Sequence, residues 1–472
     1  MRARDTLVLG IALASCVMPS SSSAAGPDPP VRVTREADTV LDLPFAGYCS
    51  RPAWDPSTPP GRYRLAFDVT GVEGGLTGRI VILDSLAVSG DRLAAVSWQV
   101  LPSNVQLREA IREGGYIDTS KINVQQLAWG PQPACRFVFC ANGTPVSSAE
   151  SQAWFGGPLA LYADPWDRFL ARVGDRAGES TRGGLSGRSE CRSPTVAPGG
   201  TVIFEYRDDV KRQSDLCAIH PVVPESEQRF FRLTTTGDLA ESLPVVSPDG
   251  KLVAFVYESA DRDPELAVAE LRRNADGSMR LRNPRRLRTG TASFLGLAPA
   301  WCPVAFESGG EEKRLLAFYR PQMRSTEEGP RTFDLCLALV DVHGADAPVR
   351  CVQSDVLVHT KVRGANPPSW TGDGRYLFYI ARDGLTDPLQ VVRAPRTAKE
   401  FRERLCTWPL ESGTVLNKFV AVAPDNRVLA VMAAGSRAED ELRVGVHPHW
   451  LYLLPLRWSE DDGGRGGIDN EQ

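Results

Sequence analysis

One segment recurs along this chain, and the recurrence limits the available folds more than any other feature. Its clearest copy reads Leu243-Pro-Val-Val-Ser-Pro-Asp-Gly-Lys-Leu-Val-Ala-Phe-Val-Tyr257. A short apolar strand leads into Pro248-Asp249-Gly250, and a second apolar strand follows. Asp-Gly is a strong hairpin signal, because glycine takes positive φ without a Cβ clash. A polar loop from Glu258 to Pro264 then leads to a third strand, Glu265 to Leu271.

The same order returns elsewhere. Pro52-Ala-Trp54 precedes Arg64–Phe67 and Arg79–Leu83, and Leu127-Ala-Trp129 precedes Phe137–Phe139 and Pro158–Tyr162. Pro194-Thr-Val196 precedes Val202–Phe204 and Asp215–Ile219, and Pro299-Ala-Trp301 precedes Leu315–Phe318 and Asp334–Ala338. Pro368-Ser-Trp370 precedes Tyr376–Tyr379 and Leu389–Val392, and Val420-Ala-Val422 precedes Val428–Val431 and Trp450–Leu454. Successive markers lie 50 to 75 residues apart, with the excess in polar stretches. Length variation of that kind belongs in loops. A small sheet apolar on both faces buries its core in a row of copies only if the row closes into a ring. The expected fold is therefore all-β: a seven-bladed β-propeller of four-stranded antiparallel blades over residues 35–456. Six blades is the alternative, if the copy at Trp54 or Trp129 is decoration.

The repeat resembles that of the TolB-like propellers, in which Pro-x-Trp-Ser-Pro-Asp-Gly leads to an Ala-Phe strand and then to a strand opened by Asp. Leu243 to Leu271 is the close match, and the likeness covers residues 49–456 with decreasing strictness. The turns after Trp54, Trp129 and Trp301 lack Asp-Gly. The resemblance implies a fold rather than an activity, because propellers host many functions. TolB proteins also carry an N-terminal α/β domain, which this sequence is read as lacking.

Residues 1–16 read as an export signal, with Arg2 and Arg4 ahead of an apolar run from Leu7 to Val17 too short to span a bilayer. Leu13-Ala14-Ser15-Cys16 resembles a bacterial lipobox, which would make Cys16 a lipidated N-terminus. Cleavage after Ala24 or Ala25 is the other reading. Residues 17–34 then form a flexible tether, and the Gly- and acid-rich residues 457–472 a disordered tail. The outer strand that completes the last blade is assigned to Thr39–Pro44, Asn104–Gly115 to a short amphipathic helix, and Asp164–Gly187 to an exposed loop.

A net charge of −4 gives no electrostatic case for nucleic acid. Nine cysteines remain after Cys16, so at least one stays outside any disulfide. Cys135 and Cys140 cannot pair along one extended strand, whereas Cys336 and Cys351 flank a hairpin and are the best sequence-local pair. No Cys-x-x-Cys, Gly-x-Ser-x-Gly elbow, phosphate loop or calcium loop occurs. Of five histidines, His447 and His449 alone share a strand-like spacing, and no third ligand stands near them. No cofactor is expected. The four marker tryptophans recur at the repeat's own position, which favours packing between blades over sugar stacking. The arginines at 272–273 and 282–288 form a solvated hairpin or a patch for an acidic partner or anionic glycan.

The expected role is a non-catalytic binding or scaffold protein of the cell envelope. Its partner would be an envelope protein or glycan, and its only membrane contact a lipid anchor. A carbohydrate-active enzyme resembling polysaccharide lyases, with a site in the propeller channel, is the alternative. Loops after second and fourth strands open on one face and carry most of the length variation. Asn142, Gln322, Arg331, Asp383 and Asp387 bound those loops and are the candidate binding residues.

Overall fold

A computed structural model describes residues 9–10, 47–71, 78–89, 92–95, 97–101, 123–130, 137–142, 160–163, 190–208, 213–220, 230–237, 239–259, 262–287, 298–308, 311–321, 333–341, 349–356, 367–381, 390–395, 403–406, 409–410, 413–435 and 449–456. Every described element is a strand. The assignments made for Thr39–Pro44, Asn104–Gly115, Asp164–Gly187 and the C-terminal tail lie outside these residues.

The strands fall into repeated sheets. β1 (Leu9–Gly10), β2 (Gly47–Trp54), β3 (Arg62–Gly71), β4 (Gly78–Ser89), β5 (Arg92–Ala95) and β6 (Ser97–Leu101) open the chain. Here β2, β3 and β4 pair antiparallel in order, β4 carries both β5 and β6, and β1 adds to β5. A three-stranded sheet follows, of β7 (Asn123–Trp129), β8 (Phe137–Asn142) and β9 (Ala160–Ala163). Four four-stranded antiparallel sheets come next, each in chain order. The first is β10 (Glu190–Val196), β11 (Val202–Asp208), β12 (Gln213–Ile219) and β13 (Phe230–Arg232). The second is β14 (Leu239–Val246), β15 (Leu252–Ser259), β16 (Arg262–Arg273) and β17 (Met279–Arg286). The third is β18 (Ala300–Ser308), β19 (Glu311–Pro321), β20 (Phe333–Asp341) and β21 (Val349–Val356). The fourth is β22 (Ser369–Trp370), β23 (Tyr376–Ala381), β24 (Gln390–Pro395) and β25 (Glu403–Cys406). β26 (Pro409–Leu410), β27 (Gly413–Val422), β28 (Val428–Gly435) and β29 (His449–Pro455) end the chain. A parallel bridge between Tyr48 and His449 joins this last group to the first.

Each sheet is covered on both faces, which explains strands apolar along their whole length. In β15, Leu252, Val253, Ala254, Phe255 and Val256 are all fully buried. Alternate residues of a strand face opposite ways. Val253 and Phe255 accordingly pack with Ile203 and Leu216 of the preceding sheet. Leu252 and Ala254 pack with Leu316 and Phe318 of the following one. The sheets form a ring, and the architecture is a β-propeller.

The marker residues join the blades. Trp301 donates its indole N–H to the Val245 carbonyl at 2.9 Å, and Trp370 donates to the Ala300 carbonyl at 3.1 Å. Trp129 donates to Ala53 at 2.8 Å. Trp54 donates to Ala421 at 2.8 Å, 367 residues away, which ties the first sheet to the last. In each case the acceptor belongs to the residue just before the marker of the preceding sheet. At two of the three valine markers the backbone N–H donates instead to a hydroxyl at that same position: Val246 to Thr195 at 3.4 Å and Val422 to Ser369 at 2.9 Å. The tryptophans are buried, and they join blades rather than presenting stacking faces.

The hairpins between inner strands also match the sequence, with one difference. Gly250 has φ 74° and Gly374 φ 67°, while Asn426 takes the same conformation in the last copy at φ 63°. The copy at Trp301 does not turn after its marker. β18 runs on to Ser308 through a register shift between Trp301 and Ala305. Nothing after Trp301 supplies turn chemistry, so the hairpin closes only beyond Ser308. This longer hairpin reaches back, with Arg314 donating to Asp249 of the neighbouring turn at 3.1 Å.

Gly250 tests the turn. A Cβ there would stand 3.2 Å from Pro198 Cδ in the preceding sheet, on a backbone side chains rarely adopt. Gly250→Val is expected to destabilise the protein by ~1–2 kcal/mol, read as a lower urea midpoint. An unchanged midpoint would show that this turn tolerates a β-branched residue.

Candidate functional site

In blades of four antiparallel strands, the ends of the second and fourth strands point to one face of the ring. Asn142 lies on it as the last residue of β8, opposite Asn123. Gln322, Arg331, Asp383 and Asp387 lie outside the described residues, as does Cys16. The strands that hold those loops are described: Pro321 ends β19 and Phe333 opens β20, while Ala381 ends β23 and Gln390 opens β24. His449 opens β29, and His447 lies outside the described residues.

The most fully defined part of this face is the joint between the β10–β13 and β14–β17 sheets. The connection after β13 brings Thr234 and Thr236 over Glu241, near the start of β14. Thr234 Oγ1 donates to Glu241 Oε2 at 3.2 Å, and Thr236 Oγ1 donates to Oε1. Thr234 in turn accepts the Leu216 N–H at 2.8 Å, which fixes the loop to β12. Glu241 is fully buried. Burial pushes its carboxyl up from 4.5 to about 7; nearby Asp215 adds to the rise, and the two threonine hydroxyls oppose it. Beside it, Arg232 pairs with Asp215 at 3.3 Å and lies over the Tyr206 ring at 5.7 Å. Arg286 lies over the Tyr257 ring at 5.1 Å and pairs with Glu265 at 3.1 Å. The joint thus sets part-exposed Arg232, Arg286, Glu265 and Tyr257 beside a buried carboxyl that titrates near neutrality.

A second polar line runs along the inner strands. Asp68 of β3 pairs with Arg51 at 2.8 Å and also accepts the Gln126 backbone N–H at 3.1 Å. Gln126 Oε1 then accepts the Ser193 backbone N–H at 2.6 Å. Arg51, Gln126, Ser193 and Leu243 all have positive φ, from 49° to 62°, at bulges three residues before their markers. A bulge turns one N–H out of its own ladder, and at Gln126 and Ser193 a neighbouring blade supplies the acceptor. Burial raises the Asp68 carboxyl, while Arg51 and the Gln126 N–H pull it down. Glu205 is fully buried and, like Asp68, sits opposite the residue that begins the bulge. Sequence reasoning missed this line. Nothing in Gln126 or Ser193 as residue types signals a left-handed backbone, and glycine, the usual marker, is absent from all four bulges.

The chemistry available is hydrogen bonding and charge pairing. The buried carboxylates of Asp55, Asp68 and Glu241 are engaged by side chains or N–H groups of their own or adjacent sheets. Among the described residues, one group of metal-ligand type converges: Asp334, Cys336 and Cys351 of the β18–β21 sheet.

No protein-family model and no curated protein matches the chain. Solved structures similar to it include other propeller proteins. TolB from Acinetobacter baumannii aligns over 88% of this chain and 80% of its own, at 11% identity and a TM-score of 0.34. Hydrazine synthase of Kuenenia stuttgartiensis aligns over 84% of this chain and 94% of its own, at 13% identity and a TM-score of 0.42. A puromycin hydrolase mutant complexed with PGG aligns over 84% of this chain, which spans 51% of the hydrolase, at 13% identity and a TM-score of 0.43. Likeness at this level assigns neither activity nor partner.

Glu241 gives the site a pH signature. A carboxyl raised in the folded state binds more protons there than when unfolded, so its contribution is full below pH 4.5 and is lost as pH rises through about 7. Glu241→Gln keeps an acceptor for the threonines and removes the titration. The variant is expected to lose a stability decline that the parent shows between those pH values, measured as urea midpoints across the range. Parallel pH profiles would place the carboxyl in water-like surroundings.

Proposed function

We propose that this chain is a non-catalytic binding protein of the cell envelope, a seven-bladed propeller that recognises a protein or glycan through the face bearing its long loops. The seven-blade reading is supported by the marker-to-neighbour bonds, which link Trp54, Trp129, Val246, Trp301, Trp370 and Val422 each to the sheet before it. Val196 stands at the remaining joint and packs on the core it shares with Ala128.

One observation carries the binding role: at the joint of the β10–β13 and β14–β17 sheets, arginines, acids and Tyr257 gather on the long-loop face. On the hairpin face, Asp249 accepts from Arg314, Asp425 accepts from Tyr63 at 2.5 Å, and Asn426 accepts the Gly372 N–H at 2.5 Å. Those turns are engaged in holding blades together. On the opposite face, Arg232, Arg286 and Glu265 keep 30%, 41% and 37% of their side-chain surface in solvent. Arginine and tyrosine at such a rim are residues that interfaces favour. Loops on a rigid scaffold then supply recognition at little cost to the fold.

Export and tethering belong to the same reading. Leu13-Ala14-Ser15-Cys16 followed by a Ser-, Ala- and Pro-rich stretch supports Cys16 as a lipidated N-terminus. Mass spectrometry of the mature protein from a bacterial host should find a diacylated Cys16, with β1 cleaved away and β5 left as the edge of its sheet. A chain starting at Ala25 or Gly26 removes the anchor and leaves simple export.

The binding role is tested by shortening residues 142–156 and 322–331 together. The variant should keep its far-ultraviolet circular dichroism and melting temperature while losing, at least tenfold, its affinity for a partner cross-linked to the parent in envelope fractions. Retained affinity moves the site to the hairpin face or the outer rim. Depolymerisation of an anionic polysaccharide by the parent would replace binding with catalysis.

A further inference from the structure

The outer half of the β18–β21 sheet holds two thiols in cross-strand register. Cys336 of β20 stands directly opposite Cys351 of β21. Their sulfurs and an Asp334 carboxylate oxygen all lie within 4.8 Å of one another. Directly opposed residues of an antiparallel pair have Cα atoms ~4.5–5.5 Å apart, inside the range a disulfide spans. Register and reach are therefore both met without moving a strand.

We propose that Cys336 and Cys351 form a redox-responsive cross-strand disulfide that staples the outermost strand of this blade. Access distinguishes the pair from the other described cysteines. Cys140, Cys191 and Cys217 share one apolar core, and Cys302 is buried in another. Cys351 is exposed, while Cys336 beneath it is buried. An oxidant can reach the outer sulfur, and only that one.

The neighbours supply the electrostatics. Arg320 of β19 stands opposite Asp334 and donates to it at 2.6 Å. Burial pushes the Cys336 thiol up to about 12, and the Arg320 guanidinium opposes that rise. The order of steps follows. The Cys351 thiolate attacks one sulfur of a small-molecule disulfide, whose S–S bond breaks and releases one thiol. The mixed disulfide now places an electrophilic sulfur beside Cys336. Cys336 gives its proton to solvent and attacks the Cys351 sulfur, and the second thiol leaves. Two protein thiols are oxidised and one disulfide is reduced to two thiols.

The experiment incubates the full chain with oxidised glutathione and digests it with trypsin at acid pH after alkylation. Cleavage at Arg331, Arg350 and Lys361 puts Cys336 in residues 332–350 and Cys351 in residues 351–361. The expected product is those two peptides cross-linked, two hydrogens lighter than their sum, with a melting temperature above that of the dithiothreitol-treated chain. Cys336→Ser should stop at glutathione on Cys351, and Cys351→Ser should leave Cys336 unmodified. Two separately alkylated peptides, or a parent chain that retains glutathione on Cys351, would overturn the disulfide. So would Zn²⁺ shielding both thiols from iodoacetamide while glutathione yields no cross-link, which would make the cluster a metal site. Glutathione on Cys336 in the Cys351→Ser chain would overturn the order of access.

Discussion

The inner edge of each blade is the constraint on which the ring depends. An innermost strand has a ladder partner on one side only, so its other carbonyls and N–H groups face the channel or the next blade. A buried polar group left without a partner costs ~1–3 kcal/mol. The marker residue answers for one of them at each described bond. An indole brings both apolar bulk and a single donor, and the tryptophans at 54, 129, 301 and 370 spend that donor on the preceding blade's carbonyl. Valine has no donor on its side chain, so its backbone N–H takes over. At Val246 and Val422 the preceding blade offers a hydroxyl, from Thr195 and Ser369, whereas at Val196 the equivalent residue is Ala128 and the joint is one of packing. At those two joints the identity of the marker is thus coupled to that of the residue before the marker in the neighbouring blade.

That coupling explains which parts of the fold were legible. Trp and Val markers, Pro-Asp-Gly turns and apolar runs such as Leu252–Val256 are local signals with one structural meaning, and each led to an observed inner hairpin. The bulges were not legible. Leu243 in a left-handed conformation has no sequence signature, because the strain is carried by the surrounding sheet rather than by the residue. Glu241 was not legible either. The sequence places Glu241 at the end of a loop after a fourth strand, and nothing in Leu-Ala-Glu-Ser-Leu-Pro signals its burial under Thr234 and Thr236, one connection earlier. The β18 hairpin shows the reverse: without Asp-Gly after Trp301, pairing continues until the chain is free to turn.

The polar groups of the inner strands bear on function through what they are already doing. A carboxylate that accepts an N–H from the next blade, as Asp68 does from Gln126, positions blades and has little capacity left for a ligand. Its partner Arg51 is drawn into the same bond. On the described surface, charged groups at the strand ends of the long-loop rim, such as Arg232 and Arg286, pair with neighbours and keep part of their surface in solvent. The scaffold is stiff where its polar groups are saturated and open to contact at the rim.

Closure is the step at which such a ring differs from an open array. The Trp54–Ala421 bond spans 367 residues, against 56 for Trp301–Val245. The logarithmic cost of loop closure makes the longer span only about 1.7 kcal/mol more expensive. One hydrogen bond worth ~1 kcal/mol would not cover even that difference. The joint instead shares a core, in which Trp54, Leu65 and Phe67 pack with Phe419, Val428, Met432 and Leu453. Each large apolar side chain buried there contributes ~1.5–3 kcal/mol. Burial therefore drives closure. The indole bond, the Tyr63 hydroxyl on Asp425 and the Tyr48–His449 bridge select the register at which the ends meet. A shift of one residue would part the Ala421 carbonyl from the Trp54 indole and Asp425 Oδ2 from the Tyr63 hydroxyl. That would leave Asp425 only the Arg427 N–H of its own turn, so the polar groups favour this register over others in which the core could close.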